Sequence, residues 1–309
     1  MKKLIPYSGN LCSRYAEKMI SIKLTSKCNA KCSFCVDRGG YTPKTKNDCG
    51  SEISVPDVDT IVETANKYKD YKTVIITGGE PLTVFPFLID VLKGLRKTKK
   101  RLVVNTNGSL LCPEYVYELN GLIDELQISI HHPDEEINNK IFGFKFNKSK
   151  LYQPYIHFES IKLSLKWAKF DVSINSCFNK YLKYSDRIEL EKLANDLGAN
   201  KLRLTELKKV DASEFIEASD YYPSTDEFCN RSSEDLITKG CMTEYIADCG
   251  IKVSVKRLCK YAKGKNAPAF SCCFINNDGQ TKIDVDTKDT FKVIYADGSV
   301  YDDWIFTGL

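Results

Sequence analysis

Six short runs rich in β-branched residues alternate with longer amphipathic segments along the first two thirds of the chain. The strand-like runs cover residues 20–26, 72–77, 101–107, 125–130, 170–175 and 200–207. Segments with helical periodicity lie between them, at 58–69, 85–97, 113–122, 158–169 and 185–198. Strands that alternate with helices pair in parallel through right-handed crossovers. The alternation therefore predicts a parallel α/β fold. Periodicity alone leaves open whether the sheet is flat or curved into part of a barrel.

The pattern changes near residue 210, where a polar segment without clear periodicity begins. Beyond it, β-type runs at 250–259, 278–286 and 291–306 predict antiparallel pairing, with Asp297–Gly298 at a tight hairpin turn. We therefore expect two domains, residues 1–209 and residues 210–309. The second is expected to be a smaller, mostly β extension.

The chain holds 13 cysteines, and their meaning depends on the compartment. No stretch approaches the roughly 18 apolar residues of a membrane-spanning helix, and no signal-peptide core follows the basic start, so we expect a cytoplasmic protein with no membrane partner. A reducing compartment disfavours disulfides, which leaves metal binding or catalysis for clustered cysteines. The net charge of +4 is too small to indicate a nucleic-acid partner.

Three cysteines, Cys28, Cys32 and Cys35, fall within eight residues directly after the first predicted strand. In parallel α/β folds, functional residues gather at this carboxyl end of the strands. Three thiolates at this spacing can hold three irons of a four-iron cluster and leave the fourth iron open for a ligand. Two alternatives remain open: a zinc site completed by a distant fourth ligand, and a coincidence of spacing.

A second motif, Gly78-Gly79-Glu80-Pro81, ends the second predicted strand at the same edge of the sheet. The glycines expose backbone groups without side chains in the way, and Glu80 adds a carboxylate. Together they suit a zwitterionic amino acid, whose ammonium needs acceptors. Taken alone, the motif is typical of an ordinary turn.

The two motifs together resemble those of the radical S-adenosylmethionine (SAM) superfamily, over roughly residues 20–208. The resemblance implies a partial (β/α)6 TIM-type barrel. It also implies a [4Fe-4S] cluster at the three cysteines, whose open iron binds the amino and carboxylate groups of SAM. An electron donor such as flavodoxin or ferredoxin reduces the cluster in this family, which is oxygen-sensitive. Cleavage of SAM then yields a 5′-deoxyadenosyl radical that takes hydrogen from a substrate.

The resemblance also implies contacts to SAM at further positions. Phe34 matches an aromatic position near the adenine, Ser129 matches a serine on the fourth strand, and Asn175 matches a polar position on the fifth strand. Gly78, Gly79 and Glu80 belong to the same predicted cofactor site. A core or strand-end role is the alternative for the first three residues.

The substrate is less constrained than the cofactor. The core resembles the GTP cyclase of molybdopterin synthesis and the viperin group, but Ile75 and Ser173 stand where those proteins carry cations that triphosphates usually need. A peptide or small metabolite is therefore the first hypothesis, and a nucleotide is the second. No separate leader-binding domain is expected before the first strand, which counts against a self-contained peptide modifier.

Other side chains are candidates without an assigned role. His131, His132 and Cys177 are expected at the active edge and are catalytic candidates. The C-terminal third concentrates six cysteines, which suggests a second iron–sulfur cluster or, alternatively, buried free thiols. These are Cys229, Cys241, Cys249, Cys259, Cys272 and Cys273. A non-enzymatic protein that binds metal for structure is the alternative from another functional class.

Overall fold

The computed structural model describes residues 18–32, 34–35, 57–145, 155–179, 181–183, 185–205, 242–256, 274–275, 281–282 and 291–301. Its strands are β1 (Met19–Lys23), β2 (Thr73–Thr77), β3 (Arg101–Thr106), β4 (Glu125–Ser129), β5 (Asp171–Cys177), β6 (Lys201–Thr205), β7 (Met242–Ile246), β8 (Lys252–Lys256), β9 (Phe274–Ile275), β10 (Thr281–Lys282), β11 (Phe291–Tyr295) and β12 (Val300–Tyr301). Its helices are α1 (Val58–Lys67), α2 (Phe85–Arg96), α3 (Pro113–Leu119), α4 (Glu135–Phe142), α5 (Phe158–Leu165) and α6 (Asp186–Asp196), with a 3₁₀ turn at Pro81–Val84. All six predicted strands and five predicted helices of the first two thirds are present.

Ten strands form one sheet in the order β12-β11-β1-β2-β3-β4-β5-β6-β8-β7, and β9 pairs with β10 separately. The strands from β1 to β6 are parallel neighbours in chain order. Successive right-handed crossovers without a reversal of strand order place the connecting helices on one face of the sheet. The mostly parallel α/β fold is thus confirmed. Among the described strands, β12 and β7 are the two ends of the sheet and no pairing joins them.

The two faces of the sheet differ in chemistry. On the helix-covered face, alternate residues such as Ile22, Ile76, Val104, Ile128 and Leu204 are almost fully buried in one apolar core. Strand residues point alternately to the two faces, so the intervening positions belong to the other face. That face, which we call the polar face, carries polar side chains that include Ser21, Lys23, Arg101, Asn105, Glu125, Gln127, Ser129, Asp171, Ser173, Asn175, Cys177, Lys201, Arg203, Glu244, Lys252 and Ser254.

Helix ends in the core follow local sequence rules. Asp57 caps α1 by accepting hydrogen bonds from the backbone N–H groups of Asp59 and Thr60. Asp134 caps α4 through the N–H of Ile137, and Gly143 ends α4 in the left-handed conformation at φ +72°. The sequence analysis did not predict α4, although both of these end signals were present.

The expected antiparallel pairing of the C-terminal third is only partly correct. The pairs β7–β8 and β11–β12 are antiparallel, with the predicted Asp297–Gly298 turn in the second pair. However, β8 pairs in parallel with β6, and β11 pairs in parallel with β1. Edge strands leave unpaired N–H and C=O groups, and these later strands pair with them. The domain boundary expected near residue 210 lies outside the described residues.

No described helix combines the length and apolar character needed to cross a membrane.

Candidate functional site

The three clustered cysteines lie on one loop, residues 24–35, that follows β1; we call it the cysteine loop. Cys28 is exposed, whereas Cys32 and Cys35 are partly buried. Burial, together with the nearby Cys35 and Cys28, raises the pKa of Cys32 to about 12. Three thiolates this close repel one another, so a positively charged metal centre is needed to keep them all ionised.

The Gly78-Gly79 pair fits directly against the start of the cysteine loop. The N–H of Gly79 donates to the carbonyl of Thr25 (2.7 Å), and the N–H of Glu80 donates to that of Lys27 (2.8 Å). A Cβ on Gly79 would lie 2.1 Å from the Lys27 oxygen, and one on Gly78, at φ +142°, would lie 2.5 Å from the Thr25 oxygen. Glycine is required at both positions because two backbone segments touch there.

Glu80 is buried at the centre of this contact, with 1% of its surface exposed. Its carboxylate accepts hydrogen bonds from Thr106 Oγ1 (2.6 Å), Asn107 N–H (2.7 Å) and Leu82 N–H (3.0 Å). Burial raises the pKa of Glu80, and these hydrogen bonds oppose that effect. In this structure Glu80 therefore joins the turn after β2 to the end of β3.

Asn29 attaches the cysteine loop to the segment after β3. Its amide Nδ2 donates to Ser109 Oγ, and its Oδ1 accepts from Asn107 Nδ2, each at 2.8 Å. Asn107 is the residue whose N–H also binds Glu80. The ends of β2 and β3 and the cysteine loop thus share one hydrogen-bond network, which the sequence analysis did not predict.

The C-terminal end of α4 supports the cysteine loop from the other side. The N–H of Lys31 donates to the carbonyl of Phe142 (2.7 Å), and a Cβ on Gly143 would lie 3.1 Å from Lys31 Cβ. The Phe34 ring meets the His131 ring edge-on at 5.0 Å, and His131 in turn stacks on Phe142 at 5.0 Å. Residues on both sides of Cys32 are therefore held by α4 and by the end of β4.

His131 and His132 have different surroundings although both are 5% exposed. The ring Nδ1 of His131 accepts a hydrogen bond from the N–H of Cys177 (3.0 Å), so its proton lies on Nε2. Burial lowers the pKa of His131 to about 3, which keeps the ring neutral. His132 instead accepts from the N–H of Asp134 (2.9 Å) and lies 3.4 Å from Asp186. Only His131, of the two, contacts the cysteine loop in the described structure.

Ser129, Asn175 and Cys177 lie at the carboxyl ends of β4 and β5. Ser129 and Asn175 are register partners, and Asn175 Nδ2 donates to Gln127 Oε1 (3.0 Å). Among the described residues, the buried Oδ1 of Asn175 has no hydrogen-bond partner. Burial, with the nearby Cys35, raises the pKa of Cys177 to about 12, so its thiol stays protonated. These side chains border the cysteine loop from the polar face.

Below this edge, the polar face contains two ion-pair clusters. In the Glu125 cluster, the carboxylate of Glu125 lies 2.7 Å from both Arg101 and Arg203, and it accepts hydrogen bonds from Ser173 (2.5 Å) and Gln127 (3.1 Å). Burial alone would raise the pKa of Glu125, but Arg203 and its other partners hold it at about 2. Glu125 is therefore ionised at neutral pH. The sequence analysis did not single out this cluster.

The second cluster, which we call the Glu244 cluster, joins β7 to β6 and β8. Glu244 lies 3.2 Å from the ammonium group of Lys201 and 3.0 Å from that of Lys252. Burial works to raise the pKa of Glu244, whereas hydrogen bonds and charge from the two lysines lower it overall. The carboxylate thus stays ionised between two cations.

Of the C-terminal cysteines, only Cys249 lies within the described residues. Its thiol, between β7 and β8, approaches the backbone carbonyl of Glu191 on α6 at 3.5 Å. The other five, Cys229, Cys241, Cys259, Cys272 and Cys273, fall outside the described residues, and a second cluster stays a prediction. Across the part of the chain that the structure describes, no three Cys, His, Asp or Glu side chains are placed to hold one metal ion.

The family of the chain follows from this site together with a sequence comparison. Residues 22–151, which include the cysteine loop and the Gly-Gly turn, match the family model described as the radical SAM superfamily. The chain contains a radical SAM domain at these residues. The predicted resemblance is confirmed, and the domain together with its enzyme relatives supports an enzyme of this family.

Two curated relatives with different names match a larger part of this chain. The GTP 3′,8-cyclase of Petrotoga mobilis (strain DSM 10674 / SJ95) is 27% identical over 213 residues, covering 68% of this chain and 61% of the relative. A Bacillus subtilis (strain 168) protein named for peptide biosynthesis, YydG, is 23% identical over 194 residues, covering 60% of this chain and 53% of the relative. The chain thus spans less than two thirds of the length of either relative.

A solved structure supports the fold of this chain beyond the segment that matches the family model. Streptococcus suis SuiB, in a crystal structure bound to its precursor peptide SuiA, aligns with a TM-score of 0.56 at 17% identity. The alignment covers 92% of this chain and 58% of SuiB. At this identity the likeness concerns the fold.

Proposed function

We propose that this protein is a radical SAM enzyme that cleaves SAM reductively and removes a hydrogen atom from a peptide or small metabolite. The observation that carries the proposal is the contact between the cysteine loop and the Gly78-Gly79 turn. Two backbone hydrogen bonds and the absence of two Cβ atoms bring the predicted cluster ligands and the predicted SAM site together. A metal site that only stabilises the fold does not require this second element.

The cysteines fit an iron–sulfur cluster by their chemistry. Cys28, Cys32 and Cys35 lie close enough for their charges to interact, yet they are not arranged around a single ion. In a [4Fe-4S] cluster each cysteine binds a different iron, which suits sulfurs that are neighbours without converging on one point. We assign the cluster to these three residues, with the fourth iron left for SAM.

If a cluster is bound at these cysteines, it would supply the one-electron chemistry for reductive cleavage of SAM and for hydrogen removal from the substrate. The protein's own residues position the reactants. The Gly-Gly turn and Asn29 hold the loop that carries Cys28, and His131 holds Phe34 next to Cys35. The reaction's outcome after hydrogen removal does not follow from this scaffold.

The proposed SAM contacts lie around the same loop. Gly78 and Gly79 offer backbone groups at the turn, Phe34 offers an aromatic ring, and Ser129 and Asn175 offer polar groups across one strand pair. The unpartnered Oδ1 of Asn175 favours a donor from a ligand, since buried acceptors are rarely left without one. Glu80 acts through the turn, because three protein donors already bind its carboxylate.

A peptide or small metabolite remains the preferred substrate, and a nucleotide is the second candidate because relatives named GTP 3′,8-cyclase align with this chain. Against a nucleotide, Ile75 is apolar and the Ser173 hydroxyl donates to Glu125, so neither replaces the missing cations. YydG and the peptide bound to SuiB favour a peptide.

We further propose that the enzyme is cytoplasmic and that a flavodoxin or ferredoxin reduces it. The boundary near residue 210 and a second cluster in the cysteine-rich segment after it are also proposed.

Anaerobic reconstitution of the protein with iron and sulfide tests the proposal. We expect about four irons per chain, or about eight with a second cluster, and formation of 5′-deoxyadenosine after reduction with SAM. Cys32→Ala should abolish both the iron absorption and SAM cleavage while leaving the melting temperature nearly unchanged. A protein that instead binds zinc, lacks the brown colour of iron–sulfur clusters and unfolds on Cys32→Ala would support the structural metal alternative.

A further inference from the structure

Among the side chains that the structure describes, the polar face carries more positive than negative charge below the cysteine loop. The Glu125 cluster and the Glu244 cluster each place one carboxylate between two cations, so each keeps one positive charge unmatched. The other charged side chains described on this face are one cation, Lys23 on β1, and one anion, Asp171 on β5, so they leave the excess in number unchanged. The four cations are between 22% and 49% exposed. This partial burial weakens screening by water and salt, so the surplus charge favours an anion.

Arg203 is the cation best placed to bind such an anion. Its side chain is 27% exposed, and its Nη1 lies 2.7 Å from Glu125. This nitrogen is enclosed against Glu125, whose carboxylate is its acceptor. A guanidinium group has further N–H donors, and among the described residues none accepts a hydrogen bond from Nε or Nη2 of Arg203. The partly exposed remainder of the group can therefore donate to a ligand.

The position of Arg203 relates this anion site to the proposed reaction. Arg203 pairs in register with Asn175, two residues below Cys177 and Thr205 at the end of the strands. With a rise of about 3.3 Å per residue, that edge is about 7 Å farther along the strands. A ligand bound at Arg203 therefore needs to be only a few bonds long to reach the cysteine loop.

We propose that Arg203, with the surplus charge of the two clusters, binds a carboxylate group of the substrate and directs the rest of that molecule toward the cysteine loop. This inference rests on the proposed function and names its substrate class. Two surplus charges match one or two carboxylates, whereas a triphosphate carries more charge than they neutralise. The substrate is accordingly a carboxylate-bearing metabolite or a peptide with an acidic residue.

Isothermal titration calorimetry at constant ionic strength tests the site with three probes. Glutarate stands for a small carboxylic acid, acetyl-Ala-Glu-Ala-amide for an acidic peptide, and inorganic triphosphate for a nucleotide tail. We expect Arg203→Gln to weaken binding of the favoured carboxylate about tenfold or more, because a charge-assisted hydrogen bond is lost. Comparison of glutarate with the peptide decides between the two carboxylate sources.

Two further variants are expected to strengthen carboxylate binding and to leave it unchanged, respectively. Glu244→Gln removes a carboxylate that competes with the ligand, so we expect severalfold tighter binding. Lys162→Met removes an exposed lysine of α5 that pairs with Asp196 outside the polar face, and we expect no change. Circular dichroism melting verifies that each variant is folded, and Arg203→Lys, which keeps the charge, should bind between wild type and Arg203→Gln.

The proposal is overturned if neither carboxylate binds wild type, if Arg203→Gln leaves carboxylate binding unchanged, or if only triphosphate binds in an Arg203-dependent way. Titrations of the iron-loaded and iron-free forms, together with a separate assay of SAM cleavage, distinguish the two proposals. Arg203-dependent carboxylate binding without SAM cleavage refutes the proposed function alone. SAM cleavage without such binding refutes the anion site alone.

Discussion

The cysteine loop and the polar face below it are held together by different forces. The loop is fixed mainly by backbone hydrogen bonds and by glycines that let two segments touch. The polar face is organised by side-chain ion pairs around Glu125 and Glu244. Backbone contacts tolerate almost no change in shape, whereas side-chain charges can be exchanged without moving the backbone. We infer that the proposed cofactor site is set by geometry and the proposed substrate site by charge.

The largest expected effect is a loss of bound iron, caused by adding one methyl group where the Gly78-Gly79 turn touches the cysteine loop. Gly79→Ala places a Cβ 2.1 Å from the Lys27 carbonyl oxygen, far closer than two such atoms can lie without strain. The strain moves Cys28, and we expect at least about a tenfold loss of bound iron after anaerobic reconstitution. Iron content per chain is the measurement. Gly121→Ala is the matched control, since nothing lies within 4 Å of its Cβ and only its φ of +80° is strained. Equal iron in both variants would contradict the account.

The next largest expected effect is on the free energy of unfolding, through a substitution on the polar face and outside the cysteine loop. Glu125→Gln removes the buried carboxylate that Arg101 and Arg203 share, leaving the partly buried Arg203 without a counter-charge. We expect a loss of about 3 kcal/mol in the free energy of unfolding, measured by urea denaturation. Glu118→Gln on the exposed surface of α3 should change it by less than about 0.5 kcal/mol. A Glu125→Gln protein as stable as wild type would show that the cluster does not organise this face.

The lowered pKa of Glu125 predicts how the stability of the protein depends on pH. The folded-state pKa of Glu125 is lowered to about 2 from an ordinary value of 4.5. A lowered pKa means that its contribution to stability is complete above about pH 4.5 and is lost as pH falls toward 2. Melting temperatures measured across this window should fall more steeply for wild type than for Glu125→Gln. Parallel curves for the two proteins would refute this assignment.

The smallest expected effect is a difference between the substitutions of the two neighbouring histidines, His131 and His132. His131→Ala removes the ring that contacts Phe34 and accepts from the N–H of Cys177, so the third cysteine becomes less firmly held. We expect a changed electron paramagnetic resonance spectrum of the reduced cluster and severalfold faster iron loss, from about 1 kcal/mol of ring contact. His132→Ala removes contacts to Asp134 and Asp186 and should alter only the melting temperature. The same spectral change in both variants would contradict the distinction.

Much of the fold was predictable because it depends on local patterns. Alternating apolar residues indicated the six central strands, and helical periodicity indicated five of the helices between them. Helix α4 was missed because its apolar residues are few, although Asp134 and Gly143 are ordinary end signals. The parallel pairing of β8 and β11 was missed because partner choice depends on which sheet edges stay open, and periodicity carries no such information.

The candidate site was predicted unevenly for the same reason. The cysteines and the Gly-Gly turn were recognisable because their residue types and spacing are specific. Asn29, Arg203 and Glu125 carry no local signal, since Asn, Arg and Glu are common in loops and at strand surfaces. Their roles arise from partners 24 to 80 residues away in sequence, such as Ser109 for Asn29 and Arg101 for Glu125.

The sequence by itself determined the strand and helix pattern, the three clustered cysteines and the glycine turn, because each depends on neighbours within a few residues. Tertiary structure decided which side chains meet across strands: it placed His131 against Phe34, enclosed Glu80 among three donors and gathered four cations around two carboxylates. The physical reason is that a hydrogen bond or ion pair depends on distance in space. The chain sets that distance only when the whole sheet has formed.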